Sequence, residues 1–255
     1  MVGKPLRFQL RGSVAERASG PKRGEDMKNI AYTALLATLA VLLLVSVPQN
    51  ALPMELRAVQ QEVKGFAQTS FDGYVKNVLT EKNAAQFGFR SLDEAIMAQL
   101  GSPVRSMTLS LRELKKYSRG GGLASLRVDD TAIWFPVVVR GEVRAKLEVL
   151  QKGDRLIPGD FGAHNEAVRV AGAIDKMPEL VRSRGIREPV TRALLQIPFL
   201  RATFLYVSSP TGEFLIPALA MPGRFDLKND AIYPADEVLT RLREYAKDIS
   251  DDLIG

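Results

Sequence analysis

The sequence predicts an α+β protein, with an N-terminal apolar helix followed by an antiparallel sheet that carries helices on one face. Three observations lead there. Residues 30–47 carry no charge. Residues 143–149 alternate apolar and charged side chains with the two-residue period of a strand. Two hairpin-like stretches, each followed through a loop by an amphipathic helical stretch, recur about 70 residues apart.

The uncharged run is Ile30 to Val47, eighteen residues rich in Leu, Ala and Val and closed by Pro48. A spanning helix needs about 17–25 such residues and a signal-peptide core only about 7–15, so the run lies between the two. Lys22, Arg23 and Lys28 precede it. Positive charge on that flank keeps the N-terminus in the cytoplasm and sends the rest of the chain across. Residues 27–53 are therefore expected to act as a signal peptide or signal anchor. Cleavage after Ala51 would place Gln49 where a small residue is wanted, so both forms stay open. The expected location of residues 54–255 is the periplasm of a Gram-negative-type envelope, free or anchored in the cytoplasmic membrane. Residues 1–26 are basic and lack a periodic apolar pattern. They fit a short cytoplasmic tail, or an upstream extension of a chain whose start is Met27.

About 200 residues lie beyond the apolar run, enough for one domain with a real core, or for sub-units at 54–185 and 186–255. The formal charge of +6 sits mostly at the front, because residues 1–28 hold seven basic and three acidic side chains. The remainder, near +2 with both signs interspersed, lacks the basic face that phosphate backbones require. Nucleic acid is excluded as a partner on that ground. There is no cysteine. Disulfides, thiolate catalysis, zinc–thiolate sites, iron–sulfur clusters and a lipoprotein anchor are excluded with it.

Beyond the run, Leu56, Val59, Val63 and Phe66 space out a helix within 54–85. Ser91 and Glu94 form a capping box for a helix over 92–100, with Ala95, Ile96 and Leu100 inward and Gly101 as its stop. A strand over 104–109 leads to a second box, Ser110 and Glu113, opening a helix to Tyr117. The glycines 120–122 read as a loose connection. A strand from Ile133 to Val139, the turn Arg140–Gly141 and the strand 143–149 make the first hairpin. Pro136 calls for a bulge or an edge there. On the second strand Glu142, Arg144, Lys146 and Glu148 are expected to face solvent. A helix over 165–177, with Val170, Ile174 and Met177 inward, should end or kink at Pro178. The second hairpin turns at Ser209–Gly212. Its helix starts at Pro234, with Val238, Leu242, Tyr245 and Ile249 inward.

The chemistry-bearing residues are few. His164 is the single histidine. Asp160 precedes it and Ser208 and Ser209 are available, but no nucleophile elbow accompanies them, so a surface or capping role is expected. Asp129–Asp130, Asp226/Asp230 and Asp251–Asp252 lack the spacing of a calcium loop. Glycines 120–122 lack the Lys-Ser/Thr of a phosphate loop. No cofactor or metal is expected. Trp134 and Phe135 are neighbours on a strand and so point to opposite faces. The outward one could anchor a partner, while burial of both is the ordinary alternative.

The expectation is a binding or accessory domain of the cell envelope, chaperone-like or serving assembly, that acts on a protein partner without catalysis. Two rivals remain from other classes: an exported hydrolase using a carboxylate pair, and a small-ligand binder with a pocket between sheet and helices.

Overall fold

A computed structural model describes residues 54–219, 225–229 and 231–249. The apolar run 30–47 and the basic stretch 1–26 lie outside the described residues. Among those described, no helix is long and apolar enough to cross a membrane.

Helix α1 (Met54–Asn77) is followed by α2 (Leu92–Ile96), β1 (Gln99–Leu100), β2 (Val104–Thr108) and α3 (Leu111–Lys116). Both serine caps form, with Ser91 Oγ accepting from Glu94 N at 3.1 Å and Ser110 Oγ from Glu113 N at 3.3 Å, while the Glu94 carboxylate turns to Arg90 N and that of Glu113 to Arg127 N and Lys116. Next come β3 (Asp129–Val139), β4 (Glu142–Lys152), β5 (Arg155–Gly162) and α4 (His164–Ser183). The chain ends its described course with β6 (Thr191–Ile197), β7 (Ala202–Ser209), β8 (Gly212–Leu219), β9 (Tyr233–Pro234) and α5 (Ala235–Ala246).

The strands form one sheet in the order β5-β4-β3-β2-β6-β7-β8-β9, with β1 beside the far end of β3. Each half is an antiparallel meander followed by a helix. The halves join through β2 and β6, which run parallel, with Ser106 opposite Leu194 and Thr108 opposite Gln196. The hairpin turns fall at Arg140–Gly141, both with positive φ, and at Pro210–Thr211 between the paired Ser209 and Gly212. Pro136 sits inside β3, where its missing N–H is tolerated for a visible reason. The neighbouring strand is interrupted between β1 and β2, and β3 bulges against β4 at Val137/Val138. Gly101 N donates to Pro136 O at 2.7 Å, and a β-carbon on Gly101 would stand 2.7 Å from the proline ring. Only glycine allows that approach.

Helices cover both faces, not one. Arg105 pairs with Ile133 and Met107 with Leu195, so Ile133 and Leu195 share a face. On that face α1 and α2 cover Ile133, Phe135, Val137, Ala145, Leu147 and Val149, while α3 and α5 cover Ala193, Leu195, Phe204 and Leu215. On the opposite face α4 is the one helix among the described residues that packs against Trp134, Val104, Leu194, Leu205 and Ile216. Its 20 residues span about 30 Å, enough to cross the roughly 24 Å between β4 and β8, both of which it touches. One-sided cover is insufficient because both alternating sets of side chains in the central strands are apolar.

Other expectations change in detail. Ile96 is 61% exposed, because α2 closes after one and a half turns with Glu94 and Ala95 inward. Tyr245 lies at the edge of its helix, its ring edge-on to Phe225 with centroids 5.3 Å apart. Helix α4 continues through Pro178 to Ser183, held by Met177 and Val181 on its buried face.

Candidate functional site

The parallel pair fixes one place in this sheet. After β2 the chain turns through α3 toward β3, and after β6 it turns through a short 3-10 turn, Pro198–Leu200, toward β7. The two connections leave adjacent carboxyl ends in opposite directions. A crevice opens wherever parallel strands part in this way. Here Leu109 N donates to Gln196 O at 2.9 Å as the last rung. Beyond it lies a crevice of about 680 Å³ lined by Thr108, Leu109, Ser110, Leu111, Arg112, Pro198 and Phe199. That volume lies within the roughly 300–1,000 Å³ of ligand pockets. Leu109 and Leu111 form its buried floor and Phe199 its half-buried wall. Among the described residues Arg112 is its one charged lining residue; it is exposed and has no carboxylate within ion-pair distance there. The neighbouring Glu113 is instead paired with Lys116 at 2.5 Å. The crevice therefore offers apolar surface with a single cation at its rim.

A second cluster is buried under α4. Lys146 is 4% exposed, with its Nζ 3.3 Å from Glu148 and 3.1 Å from Glu166. Gln196 Nε2 donates to Glu148 at 3.0 Å. Burial works against the Lys146 ammonium, but the pull of Glu148 and then Glu166 outweighs it and holds its pKa above the ordinary lysine value. This overturns the expectation that Lys146 and Glu148 face solvent. Their alternation with Ala145, Leu147 and Val149 is real, but α4 lies over the charged side. The two carboxylates do converge, and they converge on a lysine. A pair set to activate water needs a site between the acids for sugar and water; here an ammonium binds both.

At the end of β4, Arg144 Nε meets Glu94 at 3.1 Å and its Nη2 meets Glu142 at 2.6 Å. These residues, with Arg90, Met97 and Arg140, line a smaller polar hollow of about 330 Å³.

The remaining sequence candidates hold turns, caps and ion pairs. His164 opens α4, half-buried, its Nδ1 2.6 Å from the Arg144 carbonyl oxygen, so it ties the helix to β4. Ser209 serves its own turn, donating to Gly212 O at 3.2 Å and accepting from Thr211 N at 3.2 Å. Asp130 makes a two-pronged pair with Arg105, and Asp129 accepts from Thr131 at 2.8 Å. Asp226 is near Arg241 at 3.7 Å; Asp230, Asp251 and Asp252 lie outside the described residues. Among the described residues no three His, Asp or Glu side chains are grouped to hold a metal.

The glycine run 120–122 is anchored rather than loose. Asp236 accepts from Gly120 N and from Tyr117 Oη at 2.5 Å, and Glu213 accepts from Leu123 N at 2.6 Å. A β-carbon at Gly122 would lie 2.5 Å from the Glu213 carboxylate. Backbone N–H groups that could have cradled a foreign anion hold the chain's own. These bonds keep the Asp236 carboxyl below its ordinary range, while burial and then Asp236 push the Tyr117 phenol up.

Trp134 and Phe135 do point to opposite faces, but both are in the core at 1% and 0% exposure. Neither ring offers surface to a partner here, because each face has its own helical cover. The crevice itself left no motif in the sequence. Its one signal is that Ser110 and Pro198 each begin a short helical turn directly after an apolar strand. No protein-family model, curated protein or solved structure matches the chain.

Proposed function

We infer that the protein is a binding or accessory domain of the cell envelope that takes an apolar segment of a protein partner into the crevice at the ends of β2 and β6. The observation that carries this reading is the crevice. Its apolar walls are built on the central strands, at the point where the two halves of the sheet part, and rigid elements make precise sites. Export behind residues 27–53 supplies the location, and two hairpin–loop–helix units sharing one sheet supply the frame. A chaperone-like or assembly role fits a site that reads apolar surface and one charge. Trp134 and Phe135 enter as core residues on the two faces of the sheet and not as anchors.

The crevice volume of about 680 Å³ favours a second reading, a small apolar ligand in the same place. The hydrolase reading would rest on Glu148 and Glu166, both engaged by Lys146.

The test compares the full chain with Phe199→Asp, purified from its own envelope fraction. A protein that accompanies the first and is lost from the second, with unchanged melting, supports the reading. An identical set of companions from both rules the crevice out as the docking site. A lipid or other small molecule lost in place of a protein favours the second reading.

A further inference from the structure

We propose that the polar hollow between α2 and the β3–β4 turn binds a carboxylate side chain, flanked by apolar ones, on a protein partner. Three observations carry this. The first is a set of free donors. Arg144 takes both carboxylates of the hollow: its Nε donates to Glu94 at 3.1 Å and its Nη2 lies 2.6 Å from Glu142. The other Glu94 oxygen accepts from Arg90 N. The Arg90 side chain is left 76% exposed, its guanidinium 3.8 Å from Glu142 and 4.0 Å from Glu94, beyond hydrogen-bond distance. Arg140 is exposed and has no ion-pair or hydrogen-bond partner among the described residues. A guanidinium carries five N–H donors in a fork that meets a carboxylate two at a time. Among the described lining residues, three arginines against two glutamates leave a charge of +1, which matches one carboxylate. A phosphate dianion would exceed it, beside Glu94 and Glu142.

The second is backbone conformation. Arg140 and Gly141 make the turn with φ of 51° and 83°. Such a turn is ordinarily Asn-Gly or Gly-Gly, because most side chains are strained at positive φ. Arginine therefore weakens the turn, and strain of this kind clusters at binding sites. What the strain yields is a free guanidinium on the lining of the hollow. The third is the apolar rim. Met97 lines the hollow and is 51% exposed, and Ile96 beside it in the chain is 61% exposed. Methionine adapts to varied apolar partners. A volume of about 330 Å³, at the lower end for ligand pockets, suits one acidic side chain with an apolar neighbour.

The hollow and the crevice lie at opposite ends of β3, since Asp129 pairs with Thr108 of the crevice and Val139 lines the hollow. The 11 residues of β3 put them about 33 Å apart. The inference therefore stands on the hollow alone and does not rest on the crevice.

The probe is the peptide acetyl-Gly-Leu-Glu-Leu-Gly-amide, titrated into the full-length chain while the Nε–Hε NMR signals of its arginines are followed. The signals of Arg90 and Arg140 should shift, and a peptide with Gln in place of Glu should bind about tenfold more weakly. Arg140→Gly should weaken the Glu peptide by a similar factor, leave the Gln peptide unchanged, and melt no lower than wild type, because glycine relieves the turn. Equal affinity for the two peptides overturns the inference, as does a Glu peptide indifferent to Arg140→Gly. Shifts at Arg112 in place of Arg90 and Arg140 would put the peptide in the crevice and also overturn it. Acetate that binds as tightly as the Glu peptide overturns the protein partner. An unchanged set of companions in Phe199→Asp removes the crevice reading and leaves these results as they are.

Discussion

Lys146 Nζ on β4 lies 3.1 Å from the Glu166 carboxylate on α4, and this bond crosses the interface between the sheet and the helix that covers that face. With Glu148 it places one cation between two anions, nearly all of it out of water. Such a group adds little over an apolar replacement of equal shape, but breaking it leaves charge stranded.

Lys146→Ala should therefore destabilise the fold by about 3–5 kcal/mol, the cost typical of removing one partner of a buried pair. Lys146→Met with Glu148→Gln and Glu166→Gln should recover most of it. Denaturant titration of the two variants measures the difference. The pH dependence has a fixed sign. The folded pKa of Lys146 is above its unfolded value, so its contribution is complete below about pH 10 and is lost as pH rises through the folded pKa. Wild-type melting should fall in that alkaline range more steeply than melting of the triple variant.

Leu147→Asp should prevent folding. Leu147 is fully buried opposite Phe161, beneath α1, in a cluster of apolar side chains. An unpaired carboxylate there costs several kcal/mol, comparable with the whole stability of a domain. Loss of the cooperative melting transition is the expected result, and a melt like wild type would place the residue wrongly.

His164→Ala should cost about 1 kcal/mol, the value of one hydrogen bond to the Arg144 carbonyl, and should leave partner binding within about twofold. A variant that melts normally but has lost its cellular activity would assign His164 a chemical role.

Leu42→Arg with Leu43→Arg should block export, since each charge costs about 2.5–3.5 kcal/mol at a helix centre. A reporter fused after residue 255 reads this out, and unchanged export in the double variant would end the envelope assignment.

The parts of this fold that were legible in the sequence were the local ones. Ser91 and Ser110 announce their helices because a cap needs only residues three apart. Arg140–Gly141 announces its turn because φ must be positive there. What sequence period could not say was what lies over each face. Lys146 and Glu148 read as solvated because alternation marks two sides without revealing that a helix 20 residues further on covers the charged one. Trp134 and Phe135 raised the same question and resolve the same way, inside on both faces. The crevice was hidden more deeply, since it depends on β2 and β6 being parallel neighbours although nearly 90 residues separate them. No local pattern encodes that pairing.

The most direct test of the central claim is site-specific photo-cross-linking in living cells, with the reactive group at Phe199 on the crevice wall and a control at Val168 on the opposite face. The binding role predicts one discrete protein adduct at Phe199. That adduct should be absent at Val168 and lost when Thr108→Arg fills the crevice, while the melting temperature of the Thr108→Arg protein is unchanged. Equal labelling at both positions, or an adduct indifferent to Thr108→Arg, would contradict it.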